Sequence, residues 1–304
     1  MSTDTISLRQ RMIDDMTARH LGVPTQRAYV RSCKRLAAFL KRSPETATAD
    51  DIGRFQLHLA ESGISIGNRN GIVTGVKFLF RVTLRRHDLA AELYSVRDPR
   101  KIALVMSPEE IDGLLAKTKT LKLQAMLSLA YGCGLRIGEV VRLKAGDIDS
   151  AQNIIRVIQS KGRKDRNVML PPEVLDILRE WRVKRPTKYD AGVPKKERLL
   201  FPSRQSGNLS KRQLSRLFQQ TVKAAGVSKP VTFHSLRHSF ATHLLEVGTS
   251  IRIIQALLGH EKLDTTAHYT RVATGIISAV KSPISLLLGK SEKPRKRRKQ
   301  TEPA

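Results

Sequence analysis

Apolar side chains recur at intervals of three and four residues through the first hundred residues of the chain. This spacing is typical of helices that bury one face, so it predicts a small helical bundle. Pro24 and the pair Thr48 and Asp51 mark two helix starts. The predicted buried faces are Tyr29, Cys33, Leu36 and Leu40, then Ile52, Phe55 and Leu59, then Ile72, Val76 and Phe80.

The pattern changes in the second part of the chain. Leu121 to Ala130 is apolar enough to be a buried helix, and it ends at Tyr131-Gly132-Cys133-Gly134, where glycine permits a tight turn. Two short runs, Ile154 to Gln159 and Asn167 to Leu170, predict strands joined by a lysine-rich turn. Helices are predicted to follow, one of them from Pro171 to Arg182. The predicted fold class is therefore mainly α with a small antiparallel β-sheet.

A polar segment with a proline, Arg97 to Lys101, separates the two parts. Ser107, Pro108 and Glu110 follow it with the pattern of a capping box, which marks a new helix start. A domain boundary is therefore expected near residues 97 to 106. We divide the chain into a helical domain, 1–100, a mixed α/β domain, 101–285, and a basic tail, 286–304, which is predicted to be disordered because it lacks an apolar pattern.

Charge narrows the choice of partner. The 304 residues include 55 Lys and Arg against 27 Asp and Glu, a formal net charge of +28, which implies a polyanion and favours nucleic acid. A membrane surface is the competing partner, but the most apolar late stretch is interrupted by Lys281 and Pro283, and the start has no signal-peptide pattern. We expect a cytoplasmic, nucleoid-associated protein. Cys33 and Cys133, the two cysteines, lie in apolar patterns and are expected in the core.

Two groups of basic residues stand out in the helical domain. A solvated helix face is the simplest explanation for each group, but the net charge favours contact with phosphates. The groups are Arg27, Arg31, Lys34 and Arg35, and Lys77, Arg81, Arg85 and Arg86.

The chemistry that the sequence suggests is attack on a phosphodiester. Arg136 follows the glycine turn, and His234 and Arg237 lie three residues apart, on one face of a predicted helix. Arginine grips two phosphate oxygens at once and keeps its proton, so both arginines suit the nonbridging oxygens. His260 and Tyr269 follow in order. A zinc site is a weak alternative, because no cysteine or carboxylate near these histidines completes a tetrahedral set.

A tyrosine phenol has a pKa near 10, so Tyr269 needs a proton acceptor or a positive field before it can act as a nucleophile. The lysine-rich turn contributes Lys161 or Lys164, and contact with phosphate is the simpler role for either of them. Glu139, three residues after Arg136, is either a carboxylate that orients the guanidinium or an ordinary surface residue. His238 and His243 have no predicted role.

In this order, the motifs resemble those of the tyrosine recombinases of the phage integrase and Xer type. The resemblance rests on the Arg136 box, the Lys161 hairpin, the box from His234 to Arg237, Leu258-Gly259-His260, and Tyr269. It covers residues 105 to 275, and the first hundred residues resemble the family's SAM-like core-binding domain.

The resemblance implies a role for each matching residue. Tyr269 would attack the phosphate and form a 3′-phosphotyrosyl bond, Lys161 would protonate the 5′-oxygen, and His234 would act as general base and then acid. The remaining residues implied to hold the phosphate are Arg136, Arg237 and His260. Neither metal nor ATP would be needed.

The family also acts on double-stranded DNA as a tetramer that joins two sites, in some cases with accessory DNA-binding proteins. Ile284 to Leu288 would then be either donated to a neighbouring protomer or packed against its own domain. The implied activity is site-specific recombination for integration, excision or transposition. A type IB topoisomerase and a non-catalytic DNA-binding protein are the alternatives.

Overall fold

A computed structural model describes residues 7–97, 104–158, 165–188, 190–203, 207, 209–259, 280 and 282–288, with side chains up to residue 285 in the last segment. The chain divides into two compact units, Met1–Lys101 and Ile102–Ala304. Each unit has a hydrophobic core of its own. In the described part of the chain, no helix combines the length and the apolar character needed to cross a bilayer.

The first unit is helical, as predicted. Its helices are α1 (Leu8–Ala18), α2 (Val23–Leu40), α3 (Ala49–Glu61), α4 (Ile66–Phe78) and α5 (His87–Glu92), with a 3-10 turn at Pro44–Thr46. The predicted start of α3 is confirmed, because the Thr48 backbone N–H donates to Asp51 Oδ2 at 2.9 Å and the Asp51 N–H donates to the Thr48 hydroxyl. These bonds satisfy N–H groups that the first turn of a helix leaves without partners.

The core of the first unit is formed by the predicted helix faces. Leu36, Ile52, Phe55, Leu59, Val76 and Phe80 are fully buried. Tyr29, Leu40 and Ile72 are only half-buried, because they lie at the edge of these faces. A π-helical turn, Leu79–Thr83, ends α4, so Phe80 lies beyond the regular helix.

The second unit surrounds a buried helix. Its helices are α6 (Pro108–Ala116), α7 (Leu121–Gly132), α8 (Ile137–Val140), α9 (Pro172–Lys184), α10 (Lys211–Ala224), α11 (Phe233–Glu246), α12 (Ile251–Leu258) and α13 (Pro283–Leu288), with 3-10 turns at Ala145–Asp147 and Lys195–Glu197. Helix α7 is buried along nine of its twelve residues, and α9, α11 and α13 pack against it. The predicted buried helix is thus confirmed, and both cysteines are buried and free.

The sheet is small and antiparallel, which confirms the predicted fold class. Its strands are β1 (Ile148–Asp149), β2 (Ile154–Val157) and β3 (Arg166–Met169), in that order. Strand β1 has two residues and was not predicted. Strand β3 begins at Arg166, one residue earlier than predicted, and Arg166 pairs with Val157.

The segment after residue 281 packs within its own unit. Ile284 is fully buried in the core of the second unit, and the Ser282 hydroxyl donates to the Gly132 carbonyl at 2.8 Å. Of the two alternatives for Ile284 to Leu288, the single chain therefore adopts the one in which this segment covers its own domain. Residues 289–304, which include most of the predicted tail, lie outside the described residues.

Candidate active site

A glycine turn positions Arg136. Helix α7 ends at Gly132, and Gly134 then adopts a φ of +63°, where a residue with a Cβ is strained. A Cβ at this position would lie 2.6 Å from Phe240 Cε1, so space also requires glycine. Arg136 caps α8, and its backbone N–H donates to Glu139 Oε2 at 2.8 Å.

Arg237 reaches the same turn from α11. Its side chain is 2% exposed, and its guanidinium donates to the Gly134 carbonyl at 2.6 Å and to the Leu258 carbonyl. Burial, followed by the charges of Arg136 and Arg166, lowers the pKa of Arg237 to about 9. Its charged form is therefore held at a cost in free energy, which a bound anion would reduce.

The Glu139 carboxylate is shared by two arginines, Arg136 and Arg166. Arg136 Nη1 donates to its Oε1 at 2.9 Å, and Arg166 donates to both oxygens, at 2.9 Å and 2.8 Å. Burial alone would raise the pKa of Glu139, but the hydrogen bonds and charge of Arg166, together with the hydrogen bonds of Arg136, outweigh it and lower the pKa to about 2. Glu139 is thus ionised at neutral pH, and it is the orienting carboxylate of the two alternatives rather than a surface residue.

The end of helix α12 receives all three guanidiniums. The Leu257 carbonyl accepts from Arg166 at 2.8 Å, and the Leu258 carbonyl accepts from Arg237. The Gly259 carbonyl accepts from Arg136 at 3.4 Å. The last carbonyls of a helix lack partners within the helix and carry its negative partial charge, so they attract cations. Gly259 has a φ of +61°, which ends the helix and turns its carbonyl toward Arg136.

His234 lies on α11, one turn before Arg237. His234 and His238 make an edge-to-face contact, with their ring centroids 4.6 Å apart. Desolvation, then the charges of His238, Arg237 and Arg136, lowers the pKa of His234. The ring is therefore neutral at pH 7 and able to accept a proton.

The structure brings together three of the six predicted site residues: Arg136, His234 and Arg237. Lys161, His260 and Tyr269 lie outside the described residues. His243, for which no role was predicted, is buried, and its Nδ1 lies 2.9 Å from the Tyr131 hydroxyl. It is therefore a satisfied core histidine.

Arg166 was not predicted as a site residue. It follows the lysine-rich turn in the sequence, but its side chain is 8% exposed and paired with Glu139, 27 residues earlier. Its place at the first position of β3, next to an apolar run, was the available sign that its side chain is enclosed. The sequence does not separate it from the neighbouring arginine and lysines, because the pairing depends on tertiary contact.

Comparison with known proteins identifies the family of the chain. Residues 105–275 match the phage integrase family, and residues 8–88 match the SAM-like N-terminal domain of phage integrases. The chain belongs to the phage integrase family. The family match and the recombinase relatives together show that it is a site-specific recombinase of the tyrosine type.

Two relatives illustrate the match. A protein of Sinorhizobium fredii named "Putative integrase/recombinase y4qK" is 40% identical over 284 residues, which are 92% of this chain and 89% of that protein. Tyrosine recombinase XerA of Thermococcus kodakarensis is 37% identical over 221 residues, 72% of this chain and 76% of the relative. The fold is similar to that of a lambda integrase (75-356) dimer bound to a COC' core site, with a TM-score of 0.66, 22% identity, and coverage of 86% of this chain and 96% of that one.

Proposed function

We propose that this recombinase cleaves DNA with Tyr269 as the nucleophile, and that Arg136 and Arg237 hold the scissile phosphate. The observation that carries the proposal is the charge of the buried cluster. Among the residues described, Arg136, Arg166 and Arg237 meet around a single carboxylate, Glu139, which leaves an excess of two positive charges. A phosphodiester, with one negative charge and two nonbridging oxygens, complements that excess.

The remaining roles follow from the order of the residues in the family pattern. The Tyr269 oxygen attacks phosphorus while the bond from phosphorus to the 5′-oxygen breaks, which leaves a 3′-phosphotyrosyl bond. The phenolic proton passes to His234, and Lys161 supplies a proton to the 5′-oxygen. His260 donates a hydrogen bond to the phosphate. Attack by the 5′-hydroxyl of a partner strand reverses each step and rejoins the DNA.

We also propose that the reaction needs neither metal nor ATP. A divalent cation at a phosphoryl site neutralises charge on the transferring group. Arg136 and Arg237 supply that positive charge here, and before substrate binds they are held by the Glu139 carboxylate and by the Gly134 carbonyl, respectively. The covalent bond to tyrosine conserves the energy of the phosphodiester, so rejoining requires no further source of energy.

Double-stranded DNA is the proposed partner. The net charge of +28 favours a polyanion, and lambda integrase, which shares the fold, is seen as a dimer on a core site. In the first unit, Arg27, Arg31, Lys34 and Arg35 are all exposed on α2, as a phosphate-binding face requires. By contrast, Lys77 donates to the Leu93 carbonyl and Arg86 pairs with Asp88. We propose that residues 1–100 are the core-binding domain and that four protomers join two DNA sites in the cytoplasm.

Trapping of a covalent complex tests the proposal. A duplex site is selected from a random pool with the full-length protein, and a nick is then placed beside the cleaved phosphate so that rejoining fails. We expect a denaturant-resistant adduct with the wild-type protein, without added metal or ATP, and none with Tyr269→Phe at equal DNA affinity. Absence of the wild-type adduct, or an adduct that survives Tyr269→Phe, would contradict the proposal. A plasmid with two sites that is relaxed without strand exchange would instead indicate a topoisomerase.

A further inference from the structure

Arg166 is a buried arginine that links three elements of the second unit. It is the first residue of β3, its Nε donates to the Leu257 carbonyl at the end of α12, and its two terminal nitrogens donate to Glu139 on α8. All three nitrogens of the guanidinium are thus engaged within the protein. The side chain is 8% exposed. The Glu139 carboxylate occupies the edge formed by the two terminal nitrogens of Arg166, and the Leu257 carbonyl occupies its Nε. By contrast, the bonds of Arg237 to Gly134 and Leu258 use only its terminal nitrogens. Each edge of Arg166 that could form a bidentate contact with a phosphate therefore already holds a protein acceptor.

The carboxylate of Glu139 accepts four hydrogen bonds from two arginines. Its Oε1 accepts from Arg136 Nη1 and Arg166 Nη1, both at 2.9 Å. Its Oε2 accepts from the Arg136 backbone N–H and from Arg166 Nη2, both at 2.8 Å. A bidentate ion pair with arginine fixes the plane of a carboxylate as well as its position. The orientation of Glu139 is therefore set by Arg166, and Glu139 in turn holds Arg136.

The other anchor of Arg136 is weak. Its Nη2 lies 3.4 Å from the Gly259 carbonyl, at the long end of hydrogen-bond distances. Arg166 also packs closely against Gly259, because a Cβ at Gly259 would lie 2.9 Å from Arg166 Cδ, and the nearby Leu257 carbonyl accepts from Arg166. Both anchors of the Arg136 side chain therefore lie in contact with Arg166.

We infer that Arg166 is a positioning residue of the recombination reaction: it orients Arg136 through Glu139 and does not itself bind the phosphate. This inference rests on the proposed function, in which Arg136 holds the scissile phosphate. A displacement of about 1 Å at a reacting group lowers rates by about a hundredfold, so loss of Arg166 slows cleavage about 10- to 100-fold. DNA affinity and its salt dependence stay near those of the wild type.

The test compares Arg166→Gln with Arg185→Gln in the full-length protein. Arg185 is a matched control, since it is also 8% exposed, donates to both oxygens of Asp190 at 2.9 Å and 2.8 Å, and binds the Leu199 carbonyl. Single-turnover cleavage of the nicked duplex is measured per folded molecule, and affinity is measured at several salt concentrations. We expect slow cleavage with Arg166→Gln alone. Equal rates for the two variants would reduce Arg166 to a structural role and overturn the inference.

A direct contact between Arg166 and DNA gives a different result. Loss of one phosphate contact lowers the slope of log affinity against log salt by about 0.9. That change in slope, together with weaker binding by Arg166→Gln, would overturn the inference. If Arg166→Gln fails to fold, Arg166→Lys decides, because it keeps the charge but cannot hold both oxygens of Glu139 and the Leu257 carbonyl. We expect Arg166→Lys to cleave more slowly than wild type at unchanged salt slope, and wild-type rates would contradict us.

A double-variant cycle shows whether the effect passes through Arg136. In the Arg136→Lys background the guanidinium that Glu139 orients is absent, so adding Arg166→Gln should slow cleavage no further. A full additional loss would indicate an independent role for Arg166 and overturn the inference. The outcome also separates the two proposals. Normal cleavage by Arg136→Lys and Arg136→Ala would contradict the proposed function. If both of these variants cleave poorly and Arg166→Gln cleaves normally, only the positioning role of Arg166 is contradicted.

Discussion

The Gly134 carbonyl accepts a hydrogen bond from Arg237 Nη1 at 2.6 Å, across 103 residues of sequence. Gly134 also forms the turn that presents Arg136. One peptide unit therefore sets the positions of both proposed phosphate ligands. A change at this turn is expected to disturb both of them together.

Gly134→Ala should destabilise the second unit. The alanine adds a Cβ at positive φ, which costs about 1 kcal/mol, and overpacks Phe240, for a total of about 3 kcal/mol. Gly226→Ala is the control, because Gly226 has a φ of +71° with no atom within 4 Å of the added Cβ, so it bears the backbone cost alone. Urea unfolding is followed by fluorescence of Trp181, the single tryptophan, which is buried in the second unit. Equal midpoints for the two variants would contradict the role of Phe240.

Arg237→Ala should slow DNA cleavage by at least about a hundredfold, since it removes a donor to the charge that develops on the phosphate. Arg179→Ala is the control, because Arg179 is 64% exposed and pairs with Asp176 on the surface. The rate of adduct formation is measured in single turnover at saturating protein. Near-normal cleavage by Arg237→Ala would remove this residue from the site.

Glu139 should make stability depend on pH in acid. Its pKa is lowered from 4.5 to about 2, so its stabilisation is complete above pH 4.5 and is lost as pH falls toward 2. Glu139→Gln should lack this component, and at pH 7 it should be less stable by about 3 kcal/mol, because it leaves buried arginines without their counter-charge. Urea midpoints between pH 3 and pH 7 test both points. Parallel pH curves for the two proteins would refute the assignment.

His234 should set the acid limb of the cleavage rate. Its pKa lies below 6.5, so the ring is a neutral base at pH 7, and cleavage should fall only as pH drops below 6.5. His238 contributes to the lowered pKa, and His238→Gln should therefore move the limb to higher pH. Single-turnover rates from pH 5 to pH 8 give both profiles. A limb that does not move would show that the contact between the two rings has no electrostatic consequence.

The exposed face of α2 should contribute to the salt dependence of DNA binding. Replacing Arg27, Arg31 and Lys34 together by glutamine should lower the slope of log affinity against log salt by up to about 3, since each phosphate contact contributes about 0.9. The double variant Arg179→Gln and Lys184→Gln is the control, because these residues are exposed but paired with acidic neighbours on α9. An unchanged slope in the triple variant would place the DNA elsewhere.

Features that depend on neighbouring residues were predictable from the sequence. The capping bonds of Thr48 with Asp51 and of Ser107 with Glu110 are present, because each involves groups three residues apart. The buried helix α7 was predictable because it is apolar on all sides. Strand β1 was not, since two residues become a strand only by pairing with β2.

The environment of the site was less predictable than its residue types. Arg237 was expected to hold phosphate, but its burial was not foreseen, because arginine is rarely enclosed and its acceptors are backbone carbonyls that no side-chain pattern marks. The pairing of Arg166 with Glu139 depends on the position of β3 relative to α8. Both features belong to the tertiary fold.

Each of the three arginines binds its own main-chain carbonyl at the end of α12, and this has a consequence for sequence variation. A carbonyl group is present whatever amino acid occupies its position, so substitutions at Leu257 and Leu258 leave the acceptors in place as long as the helix ends there. Gly259 is the exception, because its backbone conformation ends the helix. The apolar face of this helix is thus free to change with the packing of the core, while its end keeps the same hydrogen bonds to the arginines.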